Sequence, residues 1–454
     1  MKKSSADMTK GNIAKQILVF AVPLLLGQIF QNLYNSVDMI VVGRAVGTVG
    51  LAAVSAGSDT THLLVGFFTG LSAGAGIFFS RAFGAGDHER LQDGIHTALT
   101  FSIILGTCMA LAGILLVPAL LHVVDCPADV YTDAALYMRI YFVGILFTAM
   151  YNVAAGVLRA VGDSRSPFIY LVITSITNIV FDIIFVVFLH MGVAGAAFAT
   201  IGSQLLSCIL IFTRMLRTED VYRVELKSLG IRGDLLKEIL SLGLPAAVQS
   251  SIISVSNLFV ARYVNGFGSS VMAGIGAAKK IDRFAGMIGQ ALGQSTATFV
   301  GQNYGAGKIN RAFVGIRTCC ILAAIYTAVM GTFLYIFAPF FIGLFITDPE
   351  PMAYGVAMMH TILPLYYCQS LNNIFANTVR GFGKSLVVTI LSVTGMVGCR
   401  QLFLAISMGI SRDPRNIYLA YPVGWGCAAA FVMLYYFTVI RPKYAAQAKT
   451  EIED

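Results

Sequence analysis

Apolar runs long enough to cross a membrane follow one another through this chain, and that succession limits it to folds whose backbone polar groups are all paired internally. Cutting the runs at glycine, proline and charge leaves twelve segments. Six lie at 15–42, 50–80, 95–120, 132–158, 167–189 and 193–215, and six more at 237–264, 270–300, 312–340, 353–379, 385–409 and 416–440. At about 1.5 Å of rise per residue, a helix over any of them approaches or exceeds a hydrocarbon layer about 30 Å thick. A mean hydropathy of +0.77 with 12% charged residues over 454 positions agrees, and the expected class is an all-α integral membrane protein.

The charges lie between the runs. Lys2, Lys3, Lys10 and Lys15 precede the first, Arg81 and Arg90 follow the second, and Arg159 and Arg165 follow the fourth. Arg214, Arg217, Arg223, Lys227, Arg232 and Lys237 fill the central connection, whereas the stretches 122–133 and 347–351 contain no Lys or Arg. The positive-inside rule then predicts a plasma-membrane protein with both termini cytoplasmic. The net charge of +8 does not point to nucleic acid, because the basic residues are not gathered with stacking aromatics on a polar domain. The eight cysteines form no CxxC pair and read as small apolar side chains. The opening MKKSSADMTKGNIAKQ is polar and carries no small-residue cleavage site, so a removable signal peptide is not expected. Without a P-loop, HExxH or GxSxG motif the chain does not read as an enzyme.

The sequence is duplicated. FGAGDHER at Phe83 to Arg90 recurs as YGAGKINR at Tyr304 to Arg311, and LRAVGDS at Leu158 to Ser164 recurs as VRGFGKS at Val379 to Ser385. The spacing is the same, since 305 minus 84 and 380 minus 159 both give 221. Pro118 and Pro339 share it, while Pro23 and Pro245 stand 222 apart. An even number of spans per copy gives both copies one orientation. The expected architecture is two six-helix lobes, 1–215 and 237–454, joined by a cytoplasmic linker at 216–236 and related by a pseudo-two-fold axis along the membrane normal. A cavity between two such bundles is a transporter layout.

The polar residues inside the spans carry the chemistry. Gln31, Asn35 and Asp38 share one helix face at i, i+4 and i+7, downstream of Pro23, which can bend the same helix. Asp182, with Asn178 one turn before it, and Thr200 fall at a depth similar to that of Asp38 when counted from the span ends. A carboxylate at bilayer depth costs about 3 kcal/mol even on insertion scales, so an acid there is functional by default. Two uses remain open: oxygen ligands for a hard cation such as Na⁺, or a carboxyl pair that carries a proton and titrates as one unit. The eighth segment places Lys279, Lys280, Asp282 and Arg283 together, either as a local ion network or as a cavity lining, and at the 221 spacing Lys280 answers to Asp59. Arg400 is a further buried cation, to be neutralised by Asp38, Asp182 or Asp59. Gly70, Gly74 and Gly76 suit close helix approach.

With Pro23 through Asp38, the two GAG loops, LRAVGDSRSP and the Asn178 and Asp182 pair in place, the chain resembles the multidrug and toxic compound extrusion (MATE) family over essentially all twelve spans. Its pattern is similar to the branch named for the DNA-damage-inducible F protein, where coupling resides in the amino-terminal lobe. The resemblance implies a V-shaped pair of lobes that exports amphipathic drugs by alternating access, driven by protons or sodium and needing no other cofactor. It implies Asp38 and Asp182 as coupling acids, with Asn178 and Thr200 assisting, these four being the ligands if sodium is the ion, and Pro23 at the bend. Gln31, Asn35, Asp59, Lys279, Lys280 and Arg283 are then candidates for the substrate cavity of a monomer whose partners are the bilayer and a small organic solute. The alternative is a flippase whose cationic eighth span meets an anionic head group. The seventh and tenth spans, VQSSIISVSNLF and LPLYYCQSLNN, hold no carboxylate, which speaks against a sodium site in the carboxy-terminal lobe.

Overall fold

The computed structural model of the chain describes residues 7–123 and 126–453, the side chains of 48–49, 56–63, 123 and 449–453 excepted. Among the described residues every regular element is helical. In chain order these are α1 (Ile13–Ala45), α2 (Thr48–Ala85), α3 (His88–Val123), α4 (Ala128–Ala160), α5 (Arg165–Asp182), α6 (Gly192–Arg217), α7 (Gly233–Asn265) and α8 (Ser269–Gly305). There follow α9 (Ile309–Ile336), the short α10 (Ala338–Gly343), α11 (Pro349–Ile362), α12 (Tyr366–Gly381), α13 (Ser385–Val393), α14 (Arg400–Ile410), α15 (Pro414–Tyr435) and α16 (Arg441–Glu453). π-Helical turns at Ile183–Phe188, Thr394–Cys399 and Tyr436–Ile440 extend or join helices within single crossings.

Twelve crossings result, and two of them are not evident from hydropathy and length alone. α8 carries Lys279, Lys280, Asp282 and Arg283 about a third of the way along its length. The tenth crossing is cut by a 3₁₀ turn at Leu363–Leu365, leaving α11 with 14 residues and α12 with 16. The outer surfaces are lined by large apolar side chains such as Leu115 and Ile410, which are 79% and 82% exposed. In water such surfaces would be unstable; against lipid they are the solvated state.

The duplicated connections are built alike. Gly86 and Gly307 both adopt the left-handed conformation, at φ +72° and +74°, as do Gly162 and Gly383 at +87° and +76°. Around each glycine the same bonds close the preceding helix. Asp87 N–H donates to Ala82 O and Lys308 N–H to Asn303 O, while Asp163 N–H donates to Leu158 O and Lys384 N–H to Val379 O. These are helix stops that a residue with a Cβ adopts only under strain. The GAG and G-D/K-S motifs are thus turn chemistry.

Two compact units form, one mainly of Pro23–Ala247 and the other of Met8–Val22 with Val248–Asp454. These limits differ from the expected 1–215 and 237–454. Both cuts fall within a helix and at or beside its proline, Pro23 in α1 and Pro245 in α7. Proline has no N–H to return to the carbonyl four residues back, Val19 or Ser241, so the helix is weakest there. The start of the chain joins the second unit through bonds from Met8 N–H to Gln302 Oε1 (2.9 Å) and from Lys308 Nζ to Thr9 O (2.9 Å).

The segment 216–236, expected as a cytoplasmic linker, is folded into the first unit. Val224 N–H donates to Met215 O (2.9 Å), Glu225 N–H to His96 Nε2 (3.0 Å) and Arg232 N–H to Thr97 Oγ1 (3.2 Å). Arg232 also pairs with Asp93 at 2.5 Å, and Tyr222 is wholly buried. The basic residues read as solvated, while Tyr222 and Val224 anchor the strap.

Within the first unit α4 is the central helix, packed by α2, α3 and α6. The early part of α7 lies against α2 with almost no clearance. A Cβ built on Gly74 would sit 2.2 Å from Gly243 Cα, and one on Gly70 2.7 Å from Ala247 Cα. Here backbone meets backbone, and no side chain can yield. Gly74→Ala therefore forces the two helices apart, and we expect a loss of about 1–3 kcal/mol in stability, read as a lower thermal midpoint in detergent. The same change at Gly66, which has nothing within 4 Å, leaves the midpoint in place.

Candidate functional site

Asp38 and Asp182 come together in the first unit. They arrive on α1 and α5, and each carboxyl lies within hydrogen-bonding and electrostatic range of the other. Asp182 is fully buried and Asn178, one turn earlier, is 2% exposed. Asp182 is also the last residue before α5 widens into the π-helical turn Ile183–Phe188. Such turns are frequent at functional positions, because they change the register of the side chains beyond them.

No donor answers these oxygens. Asp38 Oδ1, both carboxyl oxygens of Asp182, Asn178 Oδ1 and Ser175 Oγ are buried and have no hydrogen-bond partner. Arg139 on α4 is exposed, and neither acid belongs to an ion pair among the described residues. A pocket of acceptors without donors is costly to leave bare. A proton placed between the carboxyls, or a small cation among the oxygens, relieves it.

Two tyrosines complete the cluster. Tyr34, one turn before Asp38 on α1, and Tyr137 on α4 both lie within electrostatic range of the Asp38 carboxyl, and Tyr137 reaches Asp182 as well. Gln31 meets the Tyr34 hydroxyl, and Tyr141 stacks on Tyr137 with centroids 6.1 Å apart. Neither Tyr34 nor Tyr137 was singled out from sequence. The spacing of Tyr34 to Asp38 at i and i+4 was a usable signal; the depth of Tyr137 on a neighbouring helix was not.

The other sequence candidates differ in their surroundings. Thr200 on α6 donates its hydroxyl proton to Ala196 O at 3.0 Å, leaving only its lone pairs for another partner. Asn35 is half-buried and Gln31 exposed, while the side chain of Asp59 lies outside the described residues. In the second unit the α8 cations separate: Lys280 is exposed with its Nζ 4.9 Å from the Phe345 ring centre, and Lys279 lies 5.8 Å from that of Tyr421. Arg283 is exposed, with Asp282 in electrostatic range of it and of Lys279. Arg400 is not neutralised by an acid among the described residues. It donates instead to Asn257 Oδ1 (3.0 Å) and Ser256 Oγ (2.6 Å) on α7.

Comparison with known proteins gives three findings. The MatE family pattern matches this chain twice, over 23–184 and 245–406. Both the starts and the ends of those matches are 222 residues apart, the spacing of the two prolines. A probable multidrug resistance protein of Bacillus subtilis, YoeA, is 27% identical over 96% of both chains, and the multidrug export protein MepA of Staphylococcus saprophyticus is 20% identical over 94% of both. A solved structure described as the outward-facing conformation of a multidrug resistance MATE family transporter superposes with a TM-score of 0.90 at 22% identity, covering 99% of each chain.

If the two carboxyls face each other, cysteines in their places should be joined by a short bis-methanethiosulfonate reagent in most molecules of an Asp38→Cys, Asp182→Cys protein. Intact-mass measurement shows the bridge directly. Modification of the two thiols separately, without bridging, would mean that α1 and α5 hold the residues apart.

Proposed function

The chain belongs to the MatE family of multidrug and toxic compound extrusion transporters, and from that premise we propose a proton-coupled export cycle centred on Asp38 and Asp182. It is a multi-pass membrane protein of the multidrug efflux class and not an enzyme. The proposal concerns what drives it. The observation that carries it is the direct approach of the half-buried Asp38 and the fully buried Asp182, with Asp38 Oδ1 and both Asp182 oxygens lacking any protein donor.

In this cycle a proton entering from outside settles between the carboxyls and removes their repulsion, which lets α1 and α5 close on each other. Loss of the proton inside restores the repulsion. The ion shifts the conformational balance only because it binds one arrangement better than the other. Pro23 is the natural point for α1 to bend, since the missing N–H sits where the helix passes from one compact unit to the other. Tyr34 and Tyr137 stand within electrostatic range of the carboxyls at the site's edge.

Sodium is the competing ion, and the free oxygens of Asp38, Asp182 and Asn178, with the lone pairs of Thr200, are a ligand set of the right hardness. The exported solute is proposed to be a small amphipathic organic compound, as the names of the relatives suggest. The asymmetry of Lys and Arg between connections supports both termini on the cytoplasmic side of the plasma membrane.

Dye efflux from proteoliposomes under separately imposed proton and sodium gradients tests the cycle. We expect flux with the proton gradient alone, reduced by about tenfold or more in Asp38→Asn and Asp182→Asn, which corresponds to at least about 1.4 kcal/mol of lost coupling. Flux driven only by sodium would transfer the same residues to the other ion. Unchanged flux in Asp38→Asn would remove the carboxyl pair from the mechanism. Pro23→Ala should restore the helical bond and raise the thermal midpoint, while lowering turnover under the same gradient.

A further inference from the structure

In the second unit the positions that answer to Asp38 and Asp182 hold the buried apolar residues Val260 and Leu404, and a cation stands one turn away. At the 222 spacing of Pro23 and Pro245, Asn257 on α7 corresponds to Asn35 on α1, and Arg400 to Asn178. The two helices that meet through carboxyls in one unit therefore meet through a guanidinium in the other. Arg400 is 4% exposed, and the groups it touches are neutral: Asn257 Oδ1, Ser256 Oγ and the ring of Tyr421, whose centre lies 5.7 Å from its guanidinium carbon. Its Nε is buried without a partner, and no carboxylate among the described residues forms an ion pair with it.

The side chains beside Arg400 add further donors, and the acid Asp282 stands within electrostatic range of Lys279 and Tyr366 rather than paired with the guanidinium. Gln401 Nε2 donates to Ser256 O (3.0 Å) and Ser256 Oγ (2.9 Å), so one serine oxygen serves both Gln401 and Arg400. Lys279 places its ammonium 5.8 Å from the centre of the same Tyr421 ring. Tyr421 in turn leans on Trp425, with centroids 6.1 Å apart, and Trp425 on Tyr366 at 5.3 Å. A buried guanidinium left with neutral partners is costly, and its planar fork suits a carboxylate. Asn257 is exposed, so the guanidinium lies one side chain below the surface of the unit.

From this arrangement we propose that the carboxy-terminal unit holds an anion site centred on Arg400, fitted to the carboxylate of a small aromatic amphiphile. The carboxylate pairs with the guanidinium beside Asn257 and Gln401, and the ring lies along Tyr421 toward Trp425. The site goes beyond the coupling cycle and rests on different residues. It requires no gradient, so its test does not depend on whether the carboxyl pair couples to protons.

Trp425 is the only tryptophan of the sequence and lies in the wall of the site, which supplies a reporter. Purified protein in uncharged detergent is titrated with 4-bromobenzoate and with 4-bromobenzyl alcohol, whose bromine quenches the indole at short range. We expect saturable quenching by the acid at a concentration at least about tenfold lower than by the alcohol. Arg400→Gln abolishes that preference with unchanged helical circular dichroism. Arg400→Lys, which keeps the charge and loses the fork, weakens the acid and leaves the alcohol alone; this variant carries the test if the glutamine protein does not fold. Equal quenching by acid and alcohol, or a preference that survives in both variants, overturns the proposal. So does displacement of the acid by phosphatidylglycerol but not phosphatidylcholine nanodiscs, which would assign the site to a lipid head group.

Discussion

An ionised group inside a helical bundle must be answered by a proton, a counter-ion or a set of donors, and in this protein two carboxyls face each other with none of the chain's own donors reaching them. The nearby structure bears on that unpaid interaction. α5 gives up regular α-helix immediately after Asp182, α1 carries its proline upstream of Asp38, and α4 brings Tyr137 to the same place. Such a site is stable only while something small occupies it or while its walls are allowed to separate. A chain that must export solute needs that conditional stability.

The duplicated halves show which features the fold holds constant and which it leaves free. The left-handed glycines at 86 and 307, and at 162 and 383, close their helices with equivalent backbone bonds. A turn of that geometry has few chemical solutions, so both copies keep it. Interior polar positions are constrained only by being satisfied. The first copy meets α1 with α5 through carboxyls, and the second meets α7 with α14 through Arg400, Ser256 and Asn257. Equivalent helix pairs thus hold opposite charges without altering the scaffold.

Close packing supports both arrangements. Gly74 against Gly243 allows backbone contact between α2 and α7. Without bulk water between helices there is little hydrophobic force to draw them together, and small residues allow the dispersion contacts that replace it. The strap at 216–236 adds a polar clasp at the end of the same unit, through His96, Thr97 and Asp93. Its docking was hidden in sequence, because basic residues mask Tyr222, Val224 and Leu235, which bury.

Sequence by itself determined the twelve crossings, the duplication and the presence of acids at matching depth, since these follow from run length, repeated turn glycines and the rise of a helix. It placed Asp38 and Asp182 as candidates because an acid at bilayer depth is functional by default, and Asn178 because it stands one turn before Asp182. Only the tertiary structure decided that the two carboxyls meet, that Tyr34 and Tyr137 join them, and that Lys280 turns to Phe345 while Lys279 and Arg283 stay in range of Asp282. It also decided that Arg400 is met by neutral oxygens among the described residues and that α1 and α7 each divide at their prolines between two units. The physical reason is that periodicity states which face of a helix a residue occupies, whereas the rotation of that helix against its neighbours is set by side-chain volumes and glycine contacts summed over the whole bundle.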